Sequence, residues 1–262
     1  MPQRRLKAIA IAFCACSALV AGGASADPAL VEVGNLVLRA DGNFKPHALP
    51  KRHFAPIDFQ GRVEIGAKNG GHPSPLERAV IDFDRDGRFT PGALPICPPE
   101  TIADAAPEQA RRLCGGAMVG SGHIRVSIAL GGGPVQAGSV LTLFNGPRQE
   151  GDPTLVLHAQ TTVPATQTLT ILVPVERRRG RFRYRATLAI PPIAAGLGSL
   201  THLDVEVGRR FTVDGQRRSY VAARCADGVV QTHGRFTFAD GTAIDGSVER
   251  FCASYTSPTQ GR

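Results

Sequence analysis

Apolar residues along this chain recur with a period of two, and that alternation limits the fold more than any other feature. Segments 30–38, 54–65, 79–83, 123–130, 139–144, 154–159, 168–175, 181–190, 200–207, 210–213, 219–225, 229–238 and 243–252 are short and β-branched or alternating, with Gly, Pro, Asn or Asp at their ends. Successive side chains of an extended strand point to opposite faces, so such segments bury one face and wet the other. A dozen or so of them predict an all-β fold, two packed sheets in a β-sandwich or a flattened barrel. The turns are supplied by 30 glycines and 20 prolines in 262 residues, above the usual share of roughly 12%. Asp214-Gly215 and Asp240-Gly241 each carry the type I′ hairpin signal. Segments 40–53 and 66–77, rich in Pro, Gly and basic residues, are expected to be surface loops.

One stretch departs from the pattern. Pro107-Glu108 opens a run ending at Cys114 before Gly115-Gly116, the punctuation of one short helix of about two turns. Cys97, Cys114, Cys225 and Cys252 form an even set with three pairings. We expect Cys97 with Cys114 and Cys225 with Cys252, because each pair is close in sequence and brackets a compact unit. A zinc site would want C-x₂₋₄-C spacing, which is missing. The sequence around Asp214-Gly215 and Cys225 echoes that around Asp240-Gly241 and Cys252, each cysteine ending the second strand of a hairpin. In one flat meander those strands would lie about 9.6 Å apart, beyond disulfide reach. A Cys225–Cys252 bridge therefore demands strong curling or facing sheets.

The first 26 residues predict a secretory signal peptide. Arg4, Arg5 and Lys7 precede an apolar run from Ala8 to about Ala21, then Ala24-Ser25-Ala26. The run is shorter than the roughly 20 residues of a spanning helix, and Phe13 before Cys14 and Cys14-Ala15 before Cys16 fit a lipoprotein signal poorly. Residues 27–256 are expected to form one all-β domain outside the cytoplasm, secreted and without a transmembrane segment, followed by a disordered tail at 257–262. Cleavage lowers the formal charge from +8 to +5, since no acidic residue precedes Asp27.

The runs Leu49-Pro50-Lys51-Arg52-His53-Phe54-Ala55-Pro56, Val80-Ile81-Asp82-Phe83-Asp84, Gly92-Ala93-Leu94-Pro95-Ile96-Cys97 and Cys114-Gly115-Gly116-Ala117-Met118-Val119-Gly120-Ser121-Gly122, with the tail from Arg218 to Cys252, resemble a group of signal-peptide-bearing proteins from actinobacterial genomes. That group has no assigned activity. The resemblance implies an exported, disulfide-bonded β protein and carries over no catalytic residue.

Two motifs carry candidate chemistry. Asp82, Asp84 and Asp86, followed by Gly87, read as the opening of a calcium loop. Ala93 stands where an EF-hand needs its bidentate glutamate, so the better reading is a strand with Ile81 and Phe83 inward and Asp82 and Asp84 in water. No structural metal and no cofactor are expected. Arg177, Arg178 and Arg179 sit at a hairpin tip, and Arg181, Arg183 and Arg185 alternate along the next strand, where period two would align three guanidiniums on one face. An exported chain meets anionic cell-envelope polymers rather than nucleic acid, although a charged edge strand guarded against aggregation explains the same residues. The seven histidines, His47, His53, His72, His123, His158, His202 and His233, are scattered, with no H-E-x-x-H and no G-x-S-x-G. The expected function is therefore that of a non-catalytic exported protein associated with the envelope. The alternative is a secreted polysaccharide hydrolase with carboxylates on separate strands.

Overall fold

The computed structural model describes residues 27–163 and 165–256; the expected signal peptide and tail lie outside them. Its strands are β1 (Ala29–Val33), β2 (Leu36–Lys45), β3 (Ala48–Pro50), β4 (Ala55–Pro56), β5 (Asp58–Ala67), β6 (Leu76–Asp84), β7 (Gly87–Phe89), β8 (Met118–Leu130), β9 (Gly133–Asn145) and β10 (Thr154–Thr161). They continue as β11 (Gln167–Arg177), β12 (Phe182–Ala189), β13 (Gly198–Val207), β14 (Arg210–Val213), β15 (Gln216–Ser219), β16 (Val221–Ala223), β17 (Val229–Phe238), β18 (Ala243–Phe251) and β19 (Ala253–Tyr255). Two short helices, α1 (Pro99–Ile102) and α2 (Pro107–Cys114), interrupt them.

Twelve of these strands make one antiparallel sheet in the order β1-β2-β5-β13-β8-β9-β10-β11-β12-β6-β17-β18. The sheet curls until its two ends meet. A Cβ built on Gly246 of β18 would lie 3.5 Å from Cγ2 of Val31 on β1, and Arg250 of β18 pairs with Asp41 of β2. No hydrogen-bonded ladder joins β1 to β18, so the barrel is nearly closed, with one seam. This is the all-β, flattened-barrel reading of the sequence, and no helix among the described residues is long and apolar enough to cross a membrane.

Alternation sorts side chains into a lumen and an outer face. In the lumen, one end is filled by Leu36, Leu38, Ile65, Ile128, Phe238 and Ile244. Phe44, Leu49, Val119, Leu143, Tyr220 and Val221 fill the other. The second end is covered by the small sheet β4-β16-β7, beside the β14-β15 hairpin and the parallel pair β3-β19. Outside, the neighbouring registers place Arg39 beside Glu64, Glu64 beside His202 and His202 beside Arg125.

Both expected disulfides are present. Cys97–Cys114 joins the ends of the helical insertion, and Cys225–Cys252 spans a sequence separation of 27. The helix appears at Pro107–Cys114 as its punctuation predicts. Eight residues cannot sustain a helix alone. Here Ile102, Ala105, Ala110 and the Cys97–Cys114 bridge pack on Phe144 and Val156, on the outside of β9 and β10. The bridge contributes roughly 3 kcal/mol in the chain-entropy account.

Several local expectations are corrected. The segment 40–53 is not a loop, since β2 runs to Lys45 in register with Asp58 of β5, burying Phe44, and Leu49 is buried in β3. Backbone pairing holds Asp41-Gly42-Asn43 extended where composition suggested a loop. The segment 66–77 likewise ends in strand, with Leu76 opening β6. Segment 30–38 is two strands joined by a tight turn at Gly34, where φ is 58°. Asp214 and Gly215 have φ of 50° and 72°, as type I′ requires, but at the second site only Gly241 is positive, at 82°. The Phe238-to-Thr242 hydrogen bond closes a three-residue loop there, the bulged alternative to type I′. Finally, Cys225 does not end a hairpin strand. It follows β16 and faces Cys252 across the open end of the β17–β18 hairpin, so no flat meander ever forms.

His158 lies wholly buried beneath the helices, its Nε2–H donating to the Ala105 carbonyl at 3.0 Å and its Nδ1 lacking a partner. Burial holds the imidazole below its ordinary 6.5, against partial support from the Ala105 and Ile102 carbonyls. A folded-state pKa below the unfolded value gives stability present above about pH 6.5 and lost as pH falls through the folded value. The thermal midpoint should therefore fall from pH 7 to pH 5, and His158→Gln should flatten that fall. Identical pH profiles for variant and wild type would contradict this role.

Candidate functional site

A barrel of about eight strands is just filled by its own side chains, whereas wider ones enclose cavities. This twelve-stranded barrel leaves a cavity of about 300 Å³ between its two packed ends. Val63 of β5, Ile81 of β6, Ile124 of β8 and Leu203 of β13 point into it. They are only half-buried despite facing inward, because the surface they retain faces the cavity. Gly61, Gly234 and Gly246 widen it by contributing no side chain. The register Val230↔Arg250, Thr232↔Val248, Gly234↔Gly246 and Phe236↔Ile244 puts one inward row of β17 against one of β18. Within that apolar wall, Thr232 and Arg250 are polar.

The calcium motif resolves into three separately engaged carboxylates. Asp82 receives both Nε and Nη2 of Arg185 at 2.8 Å. Asp84 accepts the backbone N–H groups of Asp86 and Gln231 at 2.9 and 3.0 Å; burial raises its pKa, and these two bonds oppose that rise. Asp86, 1% exposed, accepts Arg224 Nε and the Ala226 N–H, each at 2.8 Å. Asp86 thus anchors both flanks of Cys225. Ile81 and Phe83 point inward as the strand reading expects, but its two aspartates are not in water: Asp82 is buried under Arg185, and Asp84 is half-buried at the cavity wall. No cluster of three His, Cys, Asp or Glu among the described residues is arranged to hold a metal.

The arginine run is divided rather than aligned. Arg177, Arg178, Arg179 and Arg181 are exposed at the β11–β12 tip, with Glu176 3.8 Å from Arg178 and Glu249 3.9 Å from Arg181. A bulge between Phe182 and Tyr184 breaks the period. Arg185 turns to Asp82, while Arg183 joins Arg88 and Arg224 around the Phe54 ring, with guanidinium carbons 5.1, 5.6 and 5.2 Å from its centre. Arg78 and Arg235, far apart in sequence, line the same outer concavity as Arg185 and His233.

A serine–histidine grouping also emerges from three distant segments. Ser199 Oγ donates to the Pro73 carbonyl at 2.6 Å, so His72 Nε2–H must donate to Ser199 Oγ, at 2.9 Å, and Nδ1 accepts from Ser127 Oγ at 3.1 Å. Ser127 and Ser199 are buried at 2% and 0%, closed to any substrate carbonyl. The ring clamps the 68–75 loop onto β8 and β13. Comparison with protein-family models, with curated proteins and with solved structures found no match.

Asp86→Ala should cost about 3 kcal/mol, since it strands a guanidinium and a buried N–H. Calcium at millimolar concentration should leave the melting temperature of wild type unchanged. A near-neutral substitution, or stabilisation by calcium, would overturn this reading of the aspartates.

Proposed function

We propose that this protein is an exported, non-catalytic binder that holds an apolar small molecule inside its barrel. The carrying observation is the cavity between Val63, Ile81, Ile124 and Leu203, whose volume of about 300 Å³ falls at the lower end of the range for ligand sites. An apolar cavity this size does not recruit water readily, since water needs polar partners. It supports an apolar guest. The outer face favours aqueous surroundings: Arg39, Glu64, His202 and Arg125 lie side by side across four strands, the reverse of the apolar band a transmembrane barrel shows to lipid. Two disulfides fit an oxidising compartment and thus the signal-peptide reading of residues 1–26.

The hydrolase alternative draws less support. Asp41 and Asp84, the carboxylates at the cavity wall, are already engaged, one by Arg250 and the other by two backbone N–H groups. Envelope association keeps a specific basis in the tip arginines, which are exposed with at most long contacts to acids among the described residues. Such contacts are weak and screened beyond about 8–10 Å.

N-phenyl-1-naphthylamine should bind with a saturating fluorescence rise at one probe per chain. Val63→Phe with Ile124→Phe should weaken it at least tenfold without lowering the melting temperature, and unchanged binding by the filled variant would place the probe elsewhere. Separately, the protein should be retained on cell-wall material at low salt and released at high salt. Changing Arg177, Arg178 and Arg179 together to Ala should reduce that retention; equal retention would leave the tip as a solvated turn.

A further inference from the structure

The seam of the barrel puts a guanidinium, that of Arg250, on the wall of the apolar cavity. Inward positions of β18 are Ile244, Gly246, Val248 and Arg250, the last three on the cavity wall. The Arg250 side chain is 13% exposed. Placing a guanidinium against an apolar cavity carries a desolvation cost that another aliphatic residue would avoid. On the opposite edge, β1 stops at Ala29, paired with Ala40 of β2. From Asp41 onward β2 has lost that neighbour, and β18 ends the sheet on its side. Asp41, Gly42 and Asn43 line the cavity along this edge, and the Arg250–Asp41 ion pair bridges the gap. Asp41 is 37% exposed, so it can turn to solvent.

Resting on the apolar-binder reading, we infer that the ligand is an amphiphile with a single anionic head, a carboxylate or a phosphate monoester. Its tail lies in the cavity and its head pairs with Arg250 at the seam. The head takes the place of Asp41, exchanging one anion for another, so the guanidinium stays paired throughout. Arg suits both heads because its planar fork of N–H donors matches two oxygens of either. Asp41 is then a built-in competitor that fills the site when no ligand is present, and it sets a sign for the test that a purely structural ion pair would not give.

The experiment measures displacement of N-phenyl-1-naphthylamine from the exported protein by dodecanoate, dodecyl phosphate and dodecanol. Wild type should prefer at least one anion over dodecanol by tenfold or more, and the tighter anion identifies the head. Arg250→Met should cut that preference below threefold. Asp41→Asn, a change at a partly exposed position that keeps the chain's shape, should raise it several-fold by removing the competitor. The inference fails if dodecanol binds as well as both anions, if Arg250→Met keeps the preference, or if Asp41→Asn lowers it. Failure of dodecanol to displace the probe from wild type, together with both anions, would overturn the cavity reading itself.

Discussion

The hydrogen-bonded ladder that runs through twelve antiparallel strands and curls until β18 lies against β1 governs everything else in this molecule. Closing a sheet removes most of its exposed edge and gives each side chain one of two addresses. Strand number then sets the width of the interior. With twelve strands, the walls stand too far apart for Val63, Ile81, Ile124 and Leu203 to fill the centre, and the cavity follows. The remaining gap in the ladder, between β1 and β18, is closed by contact of Val31 with Gly246 and by the Arg250–Asp41 pair rather than by backbone bonds.

The additions to the barrel compensate for what the closed sheet cannot do. Its far end is covered by chain that would not hold itself in place, and Asp86 with the Cys225–Cys252 bridge ties that chain to the β6–β7 turn and to the base of the β17–β18 hairpin. The helical insertion is fastened to the outside by Cys97–Cys114 and by the buried contacts of Ile102, Ala110, Phe144 and Val156. Neither bridge joins two strands of the twelve-stranded sheet: one closes the helical insertion on itself, and the other ties the end cover to the base of the β17–β18 hairpin. The chemistry of the interior is left to alternation alone, which makes Arg250, on an inward position, stand out.

Much of the architecture was legible because it is local. Alternation located segments such as 229–238 to the residue, and proline and glycine bracketed the helix at Pro107–Cys114. Proximity in sequence also found both cysteine pairs. The failures share a cause, which is that neighbours across the sheet decide them. Asp41-Gly42-Asn43 reads as part of a loop until Gln60, Gly61 and Arg62 pair with it. Arg183 leaves the row of Arg185 because of a bulge opposite β6, and Asp82 loses its metal-like aspect to an arginine more than a hundred positions away. The cavity itself was illegible. A period of two says which face of a strand is apolar, but not how far away the opposite wall stands. Arg250 gave one faint signal, its place in phase with Ile244 and Val248.

The central claim is that the lumen is an unfilled apolar space rather than a repacked core. Xenon binds such spaces and ignores filled ones. A crystal of the protein pressurised with xenon should show the gas among Val63, Ile81, Ile124 and Leu203; side chains closing that space, with no xenon between them, would contradict the account.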